Sequence, residues 1–221
     1  MNFKDIIAVT NRKIAYEHIR NNMPKDYNEI LLRISADVDT DKECAALLYQ
    51  LEKLCNKDVR AIILREKDLP EEEYERLSIR VNELCKYYGK TLYIHFYTEV
   101  AKKLGCAVQL PLERAISYAA TKVKTKNNGS DVIFGVSIHS VEDAKKAYEI
   151  GASFLVYGNV YETDCKKGLP GRGIESLAKV CESVPIPVYA IGGVDENNLS
   201  KVMGAGAKGG CMMSGAMMIN A

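Results

Sequence analysis

The chain has 221 residues, a length at which an α/β barrel is routinely one domain, and one domain over 1–221 is expected. Hydrophobic residues at 47% and charged residues at 27% exclude a disordered chain. Thirty basic against 29 acidic side chains leave a net charge of +1, so neither nucleic acid nor an anionic membrane is an expected partner. Any anion bound here must be gripped by a local cluster.

Met1-Asn2-Phe3-Lys4-Asp5 opens the chain without an apolar core segment, so no secretion signal is read. No run approaches the roughly 20 apolar residues of a membrane span. Seven cysteines, at 44, 55, 85, 106, 165, 181 and 211, are scattered without a Cys-x-x-Cys pair. That spacing argues against a zinc site or a disulfide framework, and for reduced thiols in the cytoplasm.

Short apolar, β-branched runs alternate with stretches of helical period, the pattern of a parallel sheet covered by helices. The first strand is predicted at Ile6–Thr10. Asn11–Thr40 is too long for a simple turn and predicts extra helices at Ala15–Asn21 and Tyr27–Ile34. A helix at Asp41–Cys55 leads to strand 2 at Ala61–Arg65, and one at Glu71–Tyr88 leads to strand 3 at Thr91–His95. Strand 4 follows at Val108–Leu110 and strand 5 at Val132–Ile138. Ser140 is placed to cap a helix at Val141–Ile150, with acidic residues in its first turn and Gly151 to end it. Strand 6 occupies Phe154–Gly158, a helix Gly173–Ser183, and strand 7 Val188–Ile191. Asp195 is read as the cap of a helix at Glu196–Gly204, and Gly204 as the left-handed residue before strand 8 at Gly209–Met213.

Eight βα periods without a break predict an α/β fold closed as a (β/α)8 barrel, with a doubly wound open sheet as the alternative. Seven residues, 215–221, follow strand 8, too few for a last covering helix of about three turns. The outer face of strand 8 is therefore expected to be covered by the N-terminal insertion or by a partner subunit, as in a homodimer.

In such a barrel the carboxyl ends of the strands carry the site. Gly192 and Gly193 after strand 7, with Ser214 and Gly215 after strand 8, have the residue types of the phosphate site that barrels build there. They also suit glycine turns needed only to close the fold. The segment 158–173 after strand 6 combines glycines and hydroxyls, Thr163 among them, with Lys166, Lys167 and Arg172. It reads as a loop closing over an anion or as a solvated connection. Arg65 and Lys67 end strand 2, where an arginine can pair with a carboxylate or phosphate, and Glu66 and Lys67 equally suit a surface charge cluster. Two histidines, His95 after strand 3 and His139 after strand 5, point toward the mouth. An imidazole, with its ordinary pKa of about 6.5, is suited to moving a proton. Each could equally be packed and hydrogen-bonded to backbone.

Arg65-Glu66-Lys67, Gly135-Val136-Ser137-Ile138-His139-Ser140, Gly158 through Lys166, Ala190-Ile191-Gly192-Gly193-Val194 and Met213-Ser214-Gly215 together resemble the thiamine phosphate synthase and TenI superfamily. The resemblance runs from Ala61 to Ala216 and leaves out 11–40. For a synthase it would imply coupling of hydroxymethylpyrimidine diphosphate to thiazole phosphate with Mg²⁺. The synthase pattern carries a glutamine two places before the strand 2 arginine, an Asn-Asp pair after strand 3 and an aspartate near strand 4. Here those places hold Ile63, His95-Phe96 and the carboxylate-free run 105–111. Gln109-Leu110-Pro111 and the segment 162–173 are instead similar to TenI. That resemblance implies a thiazole tautomerase working without metal or other cofactor, with a phosphorylated thiazole as its partner. It would give His139 the acid/base role and Arg65 the carboxylate. Gly192, Gly193, Ser214 and Gly215 would hold the phosphate, and Lys166 would close down from loop 6. Lys67, His95, Gln109, Ser137 and Thr163 complete the expected substrate contacts, and no metal ligands are expected. A thiazole- or thiamine phosphate-binding protein without catalysis is the third reading.

Overall fold

The computed structural model describes residues 3–22, 24–25, 28–29, 41–124, 132–163 and 168–220, the side chains of 122–124 excepted. Eight parallel strands run Ile6–Val9 (β1), Ala61–Leu64 (β2), Thr91–His95 (β3), Ala107–Pro111 (β4), Phe134–Ile138 (β5), Phe154–Gly158 (β6), Val188–Ile191 (β7) and Gly209–Met212 (β8). Each pairs with the next, and Ile7 stands level with both Ala61 and Cys211, so β8 closes onto β1. The open-sheet alternative is thereby excluded.

Both faces of such a sheet are covered, which is why its strands read as continuous apolar runs. Alternate residues, Ile7, Val9, Ala61, Ile63, Phe154, Val156, Tyr189 and Cys211, fill the interior. The Phe154 ring lies 4.7 Å from Tyr93 and 6.1 Å from Tyr189, centroid to centroid, and plugs the barrel below its mouth. Gly135 makes room for it, because a Cβ there would come within 2.1 Å of the Phe154 ring. The other residues of each strand face the helices.

Those helices are Arg12–Asn21 (α1), Lys42–Asn56 (α2), Glu71–Tyr87 (α3), Thr98–Leu104 (α4), Leu112–Lys124 (α5), Val141–Glu149 (α6), Ile174–Ser183 (α7), Leu199–Gly204 (α8) and Ser214–Met217 (α9). None among the described residues is long and apolar enough to cross a membrane. The insertion helix begins at Arg12, three residues ahead of the predicted start, because the Asn11 carboxamide caps it by accepting from the Ile14 N–H. The helix expected at Tyr27–Ile34 lies for the most part outside the described residues. Strand 5 begins at Phe134, not Val132, since Ile133 is 60% exposed and belongs to the approach.

Two capping readings differ in outcome. Ser140 accepts from the Asp143 N–H at 3.0 Å, as its spacing predicts. Asp195 does not cap α8: its carboxylate accepts from the Asn197 and Asn198 N–H groups, making a turn before a helix that starts only at Leu199. Gly204 remains within α8, and the left-handed residue after it is Gly206, at φ 94°.

The outer side of the β8–β1 seam is filled from within the chain. Helices α1 and α2 pack on each other and on α9, and α2 is buried without interruption from Ala45 to Cys55. Two of its buried polar side chains each find a partner through one of their polar atoms. Gln50 Nε2 donates to the Met217 and Ile219 carbonyls at 3.0 and 3.4 Å, and Glu52 accepts from the Tyr88 hydroxyl at 2.7 Å. The insertion helix α1 thus meets the short α9 that follows strand 8, while α8 packs on strand 8 itself.

Candidate active site

Strand alternation decides what reaches the mouth. Leu64 faces the helices, Arg65 turns inward, and Glu66 turns outward again. The Arg65 N–H donates to the Thr10 hydroxyl at 2.8 Å, tying the end of β2 to the end of β1. Glu66, 3% exposed, accepts from the Arg12 N–H through both oxygens at 3.1 and 3.2 Å. It is no surface charge; the outward face of this loop is an interior filled by α1. Burial pushes the Glu66 carboxyl up, against the opposing pull of Thr10 and Arg12. Lys67 stands at the rim, its ammonium drawn down first by partial burial and then by the charge of Arg65.

Tyr74 of α3 fixes the next strand end. Its hydroxyl donates to the Leu64 carbonyl at 2.6 Å and accepts from the His95 N–H at 3.0 Å, which holds the ends of β2 and β3 side by side. His95 is 7% exposed. Burial, reinforced by Arg65 and Lys67, pushes its imidazole down to about 3, so it is neutral at physiological pH. Gln109 stands level with His95 on β4, and its carboxamide donates to the Ser137 hydroxyl of β5 at 2.6 Å. Arg65, Lys67, His95, Gln109 and Ser137 thus form one continuous arc.

His139 lies on the other side of this arc, exposed at the end of β5. Its Nδ1 sits 2.5 Å from the Gly158 carbonyl oxygen of β6. A carbonyl can only accept, so that contact assigns a proton to Nδ1 and leaves Nε2, the other ring nitrogen, unengaged by it. The Arg172 Nε–H donates to the same carbonyl at 3.2 Å. The His139 N–H donates to Asp143 at 2.8 Å, so the helix cap also steadies the histidine's backbone.

From Gly158 the chain leads to the glycine turn. Val160 and Tyr161 donate to the Ile191 and Gly192 carbonyls at 2.9 and 3.0 Å, laying loop 6 against the end of β7. A Cβ on Gly192 would meet Asn159 at 2.5 Å, and one on Gly193 would meet the Glu162 carbonyl at 2.6 Å. Close approach of loop 6 is therefore reason enough for both glycines. Gly215 needs no such freedom, since its Cβ would meet only the flexible tip of Met212. Still, no hydrogen bond among the described residues engages the N–H of Gly193, Ser214 or Gly215, and the last two open α9, where a helix has no carbonyl to offer them. Thr163 ends the described part of loop 6; Lys166 lies outside the described residues.

The donor set does not suit a resident Mg²⁺, which takes hard oxygen ligands. Phe96, at φ 73°, occupies the place after β3, with the Arg114 guanidinium 4.3 Å over its ring. The carboxylates after β2 are committed to Arg12. Among the described residues no three His, Cys, Asp or Glu side chains converge on one point.

Of the expected site residues, the structure joins Arg65, Lys67, His95, Gln109 and Ser137 into one arc, and His139 to Gly192 and Gly193 through β6. Sequence reasoning missed Thr10, Arg12, Asp143 and the Gly158 carbonyl. Alternation along β2 carried a signal for the first two, since it turns a carboxylate outward where a partner must wait.

Known proteins match both the fold and the chain. Superposition on a thiamine phosphate pyrophosphorylase from Pyrococcus furiosus gives a TM-score of 0.71 over 99% of this chain and 90% of that one, at 24% identity, a likeness of fold. A thiamine-phosphate synthase 2 of Streptococcus pneumoniae is 31% identical over 164 residues, 74% of this chain and 77% of that protein. A thiamine-phosphate synthase of Pyrococcus furiosus is 30% identical over 182 residues, 81% of this chain and 85% of that protein. The sequence pattern of the thiamine monophosphate synthase family matches residues 36–216. With that match spanning most of the barrel, the chain belongs to the thiamine monophosphate synthase family.

Proposed function

We propose that this member of the family, an enzyme of thiamine biosynthesis, aromatises a carboxythiazole phosphate by moving a proton within it. The observation that carries the reading is the His139 ring, oriented by the Gly158 carbonyl with Nε2 free, one strand away from the loop laid on Gly192 and Gly193. Nε2 takes a proton from one position of the non-aromatic ring system and returns it at another, so the bonding changes and the composition does not. Arg65 and Lys67 face the carboxylate, and the N–H groups of Gly193, Ser214 and Gly215 grip the phosphate. Gln109, Ser137 and neutral His95 line the ring between them. Thr163 and Lys166 are the loop 6 contacts in this reading. One well-placed acid/base contributes about 10²–10⁴-fold, a fitting share for a tautomerisation.

The names of the relatives favour a second reading, Mg²⁺-dependent coupling of hydroxymethylpyrimidine diphosphate to thiazole phosphate. Phe96 at the end of β3 weighs against it, as do the carboxylates engaged by Arg12. Two assays on one preparation separate the readings. The first is turnover of the carboxythiazole tautomer in the presence of a chelator, and the second is thiamine phosphate formation with Mg²⁺. Turnover in the first alone is expected. Activity in the second alone would establish the synthase, and binding with neither activity would establish a carrier.

A further inference from the structure

Arg12 precedes residues 36–216, the segment matched to the family, yet both its backbone N–H and its guanidinium engage the β2 loop. Its guanidinium reaches Glu66 at 3.3 Å and binds both oxygens of Asp68, at 2.6 and 3.1 Å. Its Nε lies 3.0 Å from Glu43 of α2, off the line of the N–H bond. Lys13 adds a second cation on Asp68 at 2.6 Å. Glu66 and Asp68 flank Lys67, so one arginine holds the residues on either side of it, while Thr10 holds Arg65.

Two consequences follow from charge. Arg65 and Lys67 repel each other, and a free loop would splay them into solvent; a clamped loop keeps them together in advance of binding. Glu66 and Asp68 are also the nearest carboxylates in sequence to both cations, and left free they would turn and neutralise them. Arg12 takes them up. None of the ion pairs among the described residues involves Arg65 or Lys67.

We propose that Arg12 is a positioning residue for substrate binding, holding Glu66 and Asp68 so that Arg65 and Lys67 are presented as an unneutralised pair to the substrate's anionic group. The proposal rests on the reading above that Arg65 and Lys67 face that group. It gives the N-terminal insertion a part in binding, through a contact reaching from α1 to the mouth.

The test is steady-state kinetics on the full chain with carboxythiazole phosphate, alongside melting temperatures, for Arg12→Met, Arg12→Met/Glu66→Met and Arg65→Met. Arg12→Met should raise KM by about 10- to 100-fold while kcat changes by no more than about threefold, because His139 is untouched. It also strands Glu66 in the interior and lowers the melting temperature. The double variant removes that stranded charge, so its melting temperature should recover while KM stays high. If KM recovers together with the melting temperature, Arg12 serves stability alone and the proposal is overturned. Should Arg12→Met fail to fold, the double variant carries the same comparison. Arg65→Met separates the two claims. If KM is unchanged there, the reading of the β2 cations falls; if KM rises there but not in the Arg12 variants, only the positioning role falls.

Discussion

Where β2 and β3 end, the mouth is lined by charge that has been fixed in advance. Arg65 is held through Thr10, Glu66 is 3% exposed against Arg12, and His95 is 7% exposed between two strands bridged by Tyr74. Where β5 and β6 end, the groups are exposed and held mainly by backbone: His139 by the Gly158 carbonyl, and the Gly192–Gly193 turn by loop 6. Each region carries a histidine. On the first side burial among cations makes the imidazole a neutral hydrogen-bonding group; on the second a single carbonyl orients it and leaves one nitrogen free. Under the proposed reaction the same residue type would recognise in one place and transfer in the other, according to its neighbours.

The sharpest way to break this contrast is to remove each ring in turn. His139→Ala should lower kcat by about 10²–10⁴-fold while the dissociation constant for thiazole phosphate stays within a few-fold. Rapid-quench turnover beside calorimetric binding reads both, and full activity would return the proton role to another group. His95 should show its character through stability instead. Its imidazole stays unprotonated in the folded protein until about pH 3, whereas the unfolded chain takes up that proton below about 6.5. Protons therefore favour the unfolded state between those values. Stability present above pH 6.5 should fall as pH drops toward 3, by an amount on the order of a few kcal/mol. His95→Gln should lose less over that window in urea melts; an identical pH profile would remove the desolvation argument.

Smaller changes sharpen the contrast. Gly135→Ala pushes a methyl into the Phe154 ring beneath β5 and should cost about 1–3 kcal/mol by overpacking. Because β5 carries Ser137 and His139, its effect on kcat should exceed that on KM. Ser140→Ala removes the cap of α6 and should cost about 1 kcal/mol in thermal unfolding. The loss in kcat should be slight, since the hydrogen bond from the His139 N–H to Asp143 survives.

Much of this fold could be read from the chain. All eight strands lie within two residues of the apolar runs that signal them, because a parallel strand covered on both faces has nothing else to be made of. Helices α4 and α5 escaped notice; α4 is only seven residues long, and α5 begins at Leu112, directly after Pro111, the last residue of β4, with no turn to mark it. The inward-facing candidates could be found because they follow strands. Alternation along β2 signals that Glu66 needs a partner, but that the partner is Arg12, 54 residues away, and that Asp143 serves the His139 N–H, only folding brings into line. Gly158 was visible as a glycine, but its carbonyl, which orients His139, has no signature in a sequence of side chains.

The donation from Gln50 to the Met217 carbonyl spans 167 positions, and it has a kinetic meaning. During synthesis α2 emerges early with an amide that the barrel will bury, and its acceptors arrive only after the eighth strand. Until then the amide must stay hydrated, so α2 cannot settle permanently against β1 and β2. Helix α2 and the seam where β8 meets β1 should therefore lock together as one late, cooperative event, protecting their amides from exchange at the same moment.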